Sequence, residues 1–304
     1  MRMAAVKHTV AERSDLLHAA AVTELELWSY TFRHVLLPEL ATAAAKAGFD
    51  AVTLTPDLFV RSGGDTADLR ARVEDTGMRV TFVDGLCTAL PGTPPAAPRD
   101  RTFTDPHEAT LEDCIHIAQA TGAGAINLVH IGGAPTPVPE LAEAFSRACA
   151  RAADDGLRLA IEFLPGTGIP DLATGAAVVR EAGAPNGSVL LDSWHFARGG
   201  GTLADLVPEV VAVIGGLQLS DRSPEQDDEP YVPRRGRKLP GDGALPLTEI
   251  IRRVTAAHPD LPIGAEVLSD EVDELGLVAG TTRIADALRA VVDAAADHPS
   301  SGSS

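Results

Sequence analysis

Eight short apolar runs recur along the chain, each followed by an Ala-rich stretch with helical spacing. This alternation limits the possible folds more than any other feature. The runs are LELWSYTF (25–32), DAVTLTP (50–56), MRVTFVDGL (78–86), GAINLVH (124–130), LRLAIEFLP (157–165), SVLLDSWH (188–195), IGGLQLSD (214–221) and PIGAEVLS (262–269). They are apolar nearly throughout rather than alternating, the pattern of strands buried on both faces of a parallel sheet. Stretches such as LPELATAAAKAG and ATLEDCIHIAQATG separate them, and several end in Gly, the residue favoured just past a helix C-terminus. The last helix is expected over 280–295. Eight strand–helix units without a linker predict a single-domain α/β fold, a parallel (β/α)8 TIM barrel. An open doubly wound sheet fits less well, because no GxGxxG follows the first strand and the count reaches eight. The expected organisation is an N-terminal extension over 1–24, the barrel over 25–296 and a disordered polar tail over 297–304.

Charge narrows the partners. The net charge of −18 repels nucleic acid and anionic membranes, so neither is expected. Aromatic residues make up only 4% of the chain, too few for base-stacking platforms. No segment reaches membrane-span length and the N-terminus has no continuous apolar h-region. Cys87, Cys114 and Cys149 are odd in number and form no CxxC, which fits a reducing cytoplasm. The expected partner is a small polar molecule. The Ala-, Arg- and Asp-rich composition suggests a bacterial source with a GC-rich genome.

Two long connections, 87–106 and 222–243, follow strands and so sit at the C-terminal mouth, where barrels build their sites. The ends of strands five to eight each carry a polar residue: Glu162, Asp192, Gln218 and Glu266. Three carboxylates converging in a low-dielectric mouth repel one another, and a divalent cation removes that repulsion. Two Glu, one Asp and an amide carbonyl form an all-oxygen set, which suits one Mn²⁺ or Mg²⁺ better than a structural zinc. Zn²⁺ and Co²⁺ stay as alternatives.

With the motifs IEFLP, LLDSWH, LQLSD, LPGDGALPL and IGAEV, the chain resembles the xylose isomerase-like TIM barrels known as sugar phosphate isomerases/epimerases. The resemblance covers most of the chain and is strongest from about 157 to 270. It implies that Glu162, Asp192, Gln218 and Glu266 bind one divalent metal, with Gln218 standing where other members carry His. Asp242 in PGDG stands where many relatives have Glu. The resemblance also implies that Glu162 and Glu266 exchange a proton with substrate through an enediolate, and that His195 hydrogen-bonds substrate or a neighbouring group. Such proteins are often dimers or tetramers, so a homo-oligomer is allowed for.

The chemistry expected is isomerisation or epimerisation of a sugar-like or polyol α-hydroxycarbonyl, since a chelated carbonyl acidifies the adjacent C–H. The same constellation serves a dehydratase on a keto-cyclitol, which is the alternative reading. A metal-binding barrel without turnover is a third. A hydrolase of the endonuclease IV type needs a His-rich multi-zinc site and a basic groove, which this acidic chain lacks. Substrate contacts are expected from His130 at the end of strand four, from Arg222 or Arg237 in the second long connection, and from Trp28 as an apolar wall. No GxxxxGK[ST] or equivalent cradle supports a phosphorylated substrate. No GxSxG or Cys–His motif indicates nucleophilic catalysis.

Overall fold

The computed structural model describes residues 23–64, 68–93, 108–133, 135–223, 232 and 236–297. The expected extension up to residue 22, the tail from 298, and much of both long connections lie outside the described residues. Eight parallel strands close into a barrel: β1 (Leu25–Leu27), β2 (Ala51–Leu54), β3 (Arg79–Leu86), β4 (Ala125–Val129), β5 (Arg158–Glu162), β6 (Gly187–Asp192), β7 (Ile214–Leu219) and β10 (Ile263–Ala265). A two-stranded antiparallel ribbon, β8 (Asp221–Arg222) and β9 (Arg237–Lys238), is inserted between the last two. The fold is the (β/α)8 barrel that the alternation predicts.

The helices packed around the barrel begin and end as local chemistry dictates. Asp171 caps α6 (Leu172–Ala182) by accepting from the Thr174 N–H at 2.8 Å. Thr110 and Asp113 form a reciprocal capping box on α4 (Leu111–Thr121), and Gly122 ends that helix at φ 81°, a conformation strained for any other residue. Short helices α2 (Pro56–Arg61), α7 (Ser193–Arg198) and α8 (Pro208–Val211) are not announced by the apolar pattern. The completing helices are α1 (Leu37–Ala47), α3 (Leu69–Glu74), α5 (Val138–Ala153), α9 (Leu247–Ala257) and α10 (Asp270–Ala296). The expected last helix thus starts earlier, at Asp270, and Gly276 at φ 71° interrupts it.

The observed strands are shorter than the apolar runs, and in the first and sixth a helical turn takes over inside the run. The first run ends as strand at Leu27 and continues as a single helical turn, Ser29–Thr31. The sixth stops at Asp192, because that carboxylate caps α7. The barrel interior has an apolar floor of Trp28, Phe82, Ala125, Ala160 and Leu190, with Trp28 and Phe82 rings 5.2 Å apart. A larger apolar layer fills the space between strands and helices, and the three cysteines are buried and form no disulfide. No helix among the described residues is long and apolar enough to cross a membrane.

Glu26 sits within β1, buried, with Thr81 donating to its carboxylate. Burial pushes its carboxyl up to about 7, against the opposing hydrogen bond from Thr81. A carboxyl whose folded pKa is raised binds its proton more tightly in the folded state. Its contribution to stability is therefore full below the unfolded value of 4.5 and is lost as pH rises through about 7. The loss is about 3 kcal/mol at most. Glu26→Gln removes this dependence. Melting curves of variant and wild type should converge below pH 5, and the variant should melt higher at pH 8; equal melting temperatures at pH 8 would show that Glu26 ionises without cost.

Candidate active site

A cavity of about 220 Å³ opens at the C-terminal mouth, above the apolar floor. Tyr30, Thr55, Asp84, Glu162, His195, Arg237 and Glu266 supply its polar lining, and Val129, Ile131, Leu164 and Leu268 much of its apolar lining.

Asp192 organises one side. Its Oδ1 accepts the backbone N–H groups of Trp194 at 2.7 Å and His195 at 2.9 Å, which starts α7. Its Oδ2 accepts from Arg237 Nη1 at 2.6 Å. Burial alone would raise this carboxyl, but the charge of Arg237, the nearby His195 and these hydrogen bonds outweigh it and hold Asp192 below its usual range. Arg237 is itself 2% exposed. Its Nη1 also donates to Ser220 Oγ at 3.2 Å and to the Glu266 carbonyl at 3.3 Å, Nη2 lies 3.4 Å from Glu266 Oε2, and the guanidinium stacks 5.1 Å from the Trp194 ring centre.

The β8–β9 ribbon delivers Arg237 to this position, and Asp221 anchors the ribbon. The Asp221 carboxylate accepts the N–H groups of Arg222 (2.9 Å), Leu245 (2.9 Å) and Gly241 (3.1 Å), drawing the PGDG turn back onto the strand end. Gly243 has to be glycine there, since a Cβ would lie 2.3 Å from both Asp221 Oδ1 and the Arg222 carbonyl.

His195 lies in the first turns of α7, 3% exposed. Burial pushes its imidazole down to about 4, with Asp192 opposing and Arg237 adding to the shift. The ring is therefore neutral, and Nε2 accepts from Arg237 Nη2 at 3.2 Å. The same Nε2 is 3.4 Å from Glu162 Oε1. Burial, then the charges of Glu266, Asp84 and Asp192, hold Glu162 well above the usual carboxyl range, against a hydrogen bond from Asn127.

Of the four residues expected as ligands, Glu162, Asp192 and Gln218 stand on β5, β6 and β7 and Glu266 directly follows β10, and these four strands are adjacent. The four residues do not share one hydrogen-bonded row. Glu162 pairs with Leu190, two residues short of Asp192; Gln218 pairs with Asp192; and Glu266 lies two residues beyond Gly264, the partner of Gln218. Strand tilt in a closed barrel brings such staggered positions toward one height along the axis. Donor atoms of Glu162, Asp192 and His195 lie within 4.8 Å of one another, forming a buried Glu/Asp/His cluster. This arrangement fits a divalent cation. Four carboxyls, Asp84, Glu162, Asp192 and Glu266, face one guanidinium, and both amide atoms of Gln218 are buried without a partner among the described residues. His195 adds a nitrogen donor to the all-oxygen set expected from the sequence.

Three expected substrate contacts lie elsewhere. His130 is fully buried, with Gly168 N–H donating to Nδ1 at 3.3 Å and Nε2 donating to the Pro91 carbonyl at 2.9 Å. Both ring nitrogens tie neighbouring loops together, and His130 is not among the residues that line the cavity. Trp28 belongs to the apolar floor, because the alternation along β1 turns it into the barrel below the mouth. Arg222 pairs with Arg237 across the ribbon, and its side chain does not line the cavity. Arg237, by contrast, does line it.

Sequence reasoning missed Asp84, Asn127 and Ser220. Asn127 Nδ2 donates to Asp84 Oδ1 at 2.8 Å and to Glu162 Oε2 at 2.7 Å. The signal was present: Asp84 and Asn127 are polar residues in the otherwise apolar runs of strands three and four, the same anomaly that singled out strands five to eight.

Residues 41–295 match the family model of the xylose isomerase-like TIM barrel. A Streptomyces coelicolor protein provisionally named a hydroxypyruvate isomerase is 28% identical over 261 residues, covering 78% of this chain and 88% of its own. Among solved structures, the IOLI protein with a bound zinc atom superimposes with a TM-score of 0.74 at 16% identity, over 89% of this chain and 98% of that one. A xylose isomerase-like TIM barrel/4-hydroxyphenylpyruvate dioxygenase fusion protein gives a TM-score of 0.70 at 22% identity, over 88% of this chain. This chain spans 42% of that fusion protein, less than half its length.

The Asp221 anchor can be tested directly. Asp221→Ala leaves three backbone N–H groups without their charged acceptor and should lower unfolding stability by about 2–4 kcal/mol in urea denaturation. A loss below about 0.5 kcal/mol, the size of an ordinary surface substitution, would show that the turn is held by other contacts.

Proposed function

Because the chain belongs to the xylose isomerase-like TIM barrel family, we propose that it is a divalent-metal-dependent isomerase or epimerase of a small polyhydroxylated α-hydroxycarbonyl compound. The observation that carries this reading is the buried Glu162–Asp192–His195 cluster at the cavity, with Glu266 beside it and Gln218 unsatisfied beneath. Glu162, Asp192, Gln218 and Glu266 would hold the ion, with His195 within reach of it. When bound, a divalent ion polarises a carbonyl and its neighbouring hydroxyl and so acidifies the C–H bond between them.

The protein's own groups do the rest. Glu162 and Glu266 both line the cavity, and they are the two carboxyls that take a proton from substrate carbon and return one to it. The raised pKa of Glu162 suits it to hold a proton more tightly than an ordinary carboxyl does. Arg237 keeps Asp192 ionised and places a guanidinium where negative charge develops on substrate oxygen. His195 stays neutral and can act as a hydrogen-bonding partner without adding charge. Val129, Ile131, Leu164 and Leu268 keep bulk water from the carbanionic carbon. The relative named as a hydroxypyruvate isomerase supports a reaction of this class, since hydroxypyruvate is an α-hydroxycarbonyl.

Two measurements check this reading. Mass-spectrometric metal analysis should find about one divalent ion per wild-type chain, lost in Glu266→Gln. Wild-type protein should then exchange solvent deuterium into a ketose or α-hydroxy-aldehyde, and Glu162→Gln should slow that exchange by about 10²–10⁴-fold. Enone absorbance with loss of water would assign dehydratase chemistry instead. A wild-type chain that binds no Mn²⁺, Mg²⁺, Co²⁺ or Zn²⁺ after dialysis against each would end the proposal.

A further inference from the structure

The cavity has a second polar wall that the reaction above leaves unused. Asp84 stands near the end of β3, only 8% exposed, and lines the cavity on the side of the barrel away from β6 and β7. The pairing of β3 with β4 shifts register between Asp84 and Leu86, an irregularity typical of strand ends where a side chain is re-aimed. Among the described residues, no cation pairs with this carboxylate. Asn127 Nδ2 donates to Oδ1 and also to Glu162 Oε2, so one amide orients both carboxyls. Oδ2 has no partner among the described residues. Burial pushes this carboxyl up to about 6, which marks the cost of keeping it there.

The neighbouring Thr55 does not serve as an alternative acceptor. Thr55, on the same wall, donates to Asp57 Oδ1 at 2.5 Å and accepts from the Leu58 N–H, so its hydroxyl is engaged in capping α2. Tyr30 completes the wall. Arg237, the guanidinium among the described cavity-lining residues, is engaged with Asp192 and Glu266 across the cavity. A ligand group reaching Asp84 therefore meets an oriented anionic acceptor, which attracts hydroxyl donors and repels carboxylate or phosphate. At about 220 Å³, the cavity is smaller than the ~300–1,000 Å³ usual for drug-sized ligands, as suits an unsubstituted sugar.

We propose that Asp84 is a specificity-determining substrate contact: its free oxygen accepts hydrogen bonds from hydroxyls on the carbons remote from the reacting carbonyl, so the substrate is a neutral sugar and not a short keto acid or a sugar phosphate. This rests on the reading of the site as an isomerase or epimerase. It adds that the far end of the substrate carries vicinal hydroxyls and no charge.

The test uses ligands without a carbonyl, so that binding is read apart from turnover. Xylitol and glycerol are titrated calorimetrically into Mn²⁺-treated wild-type protein and Asp84→Asn. Wild type should bind xylitol more tightly than glycerol, and Asp84→Asn should weaken xylitol by about ten- to hundred-fold, the effect of losing a hydrogen bond to a charged group, while leaving glycerol unchanged. Asp84→Glu, which keeps the charge on a longer arm, serves if the amide variant does not fold, and should weaken xylitol relative to glycerol. Deuterium exchange should likewise favour a ketopentose over hydroxypyruvate in wild type, with that preference reduced in Asp84→Asn. Unchanged xylitol affinity in the folded variants, no xylitol binding by wild type, or a wild-type preference for hydroxypyruvate overturns the assignment of Asp84. Intact, Asp84-dependent xylitol binding without exchange into any carbonyl compound would instead retire the isomerase reading and keep the contact.

Discussion

The buried ion pair between Asp192 and Arg237 is the joint on which the mouth of the barrel depends. One carboxylate oxygen starts helix α7 and thereby places His195; the other receives a guanidinium delivered from a ribbon inserted after strand β7. Neither partner touches bulk water. Such a pair is weak evidence for net stability, but removing one member leaves an uncompensated buried charge, at a cost of about 3–5 kcal/mol. The pair therefore fixes a geometry: strand, helix and ribbon can meet only where both charges are satisfied.

Around that joint, polarity is layered along the barrel axis. Trp28, Phe82, Ala125, Ala160 and Leu190 form a buried apolar floor. Directly above it stands a ring of carboxyls with one guanidinium. Burial first, and then carboxyl repulsion made strong by the low dielectric, raises Glu162, while Asp192, beside Arg237, is lowered. Two like groups on neighbouring strands thus acquire opposite protonation tendencies from their surroundings alone. That separation is what acid–base chemistry on a substrate carbon requires.

Part of the site is legible in the order of residues alone. Glu162, Asp192, Gln218 and Glu266 stand out because polar residues interrupt apolar strands at their ends, and topology places the last four barrel strands side by side. Asp84 and Asn127 carry the same signal on strands three and four, but each looks like an ordinary strand-end polar group until the amide is seen to bridge two carboxylates. His130 misleads for the converse reason: a histidine at a strand end reads as a ligand contact, while its nitrogens are engaged by backbone groups from loops distant in sequence. Arg237 and Arg222 sit in one basic loop and are indistinguishable by composition. The pairing of the ribbon decides between them.

The alternation of apolar runs and amphipathic stretches by itself determined a closed parallel barrel, because strands buried on both faces need helices outside and eight of them close the sheet. It also determined which strand ends carry charge. Only the tertiary structure decided how those charges are partnered: which arginine enters the cavity, that His195 belongs to a helix begun by Asp192, that Trp28 is floor and not wall, and that Asp84 lines the cavity. Strand and helix periodicity act over a few neighbouring residues and can be read along the chain. Ion pairs and bridging amides join residues tens of positions apart, and they exist only once tilt, register and loop closure have brought those residues together.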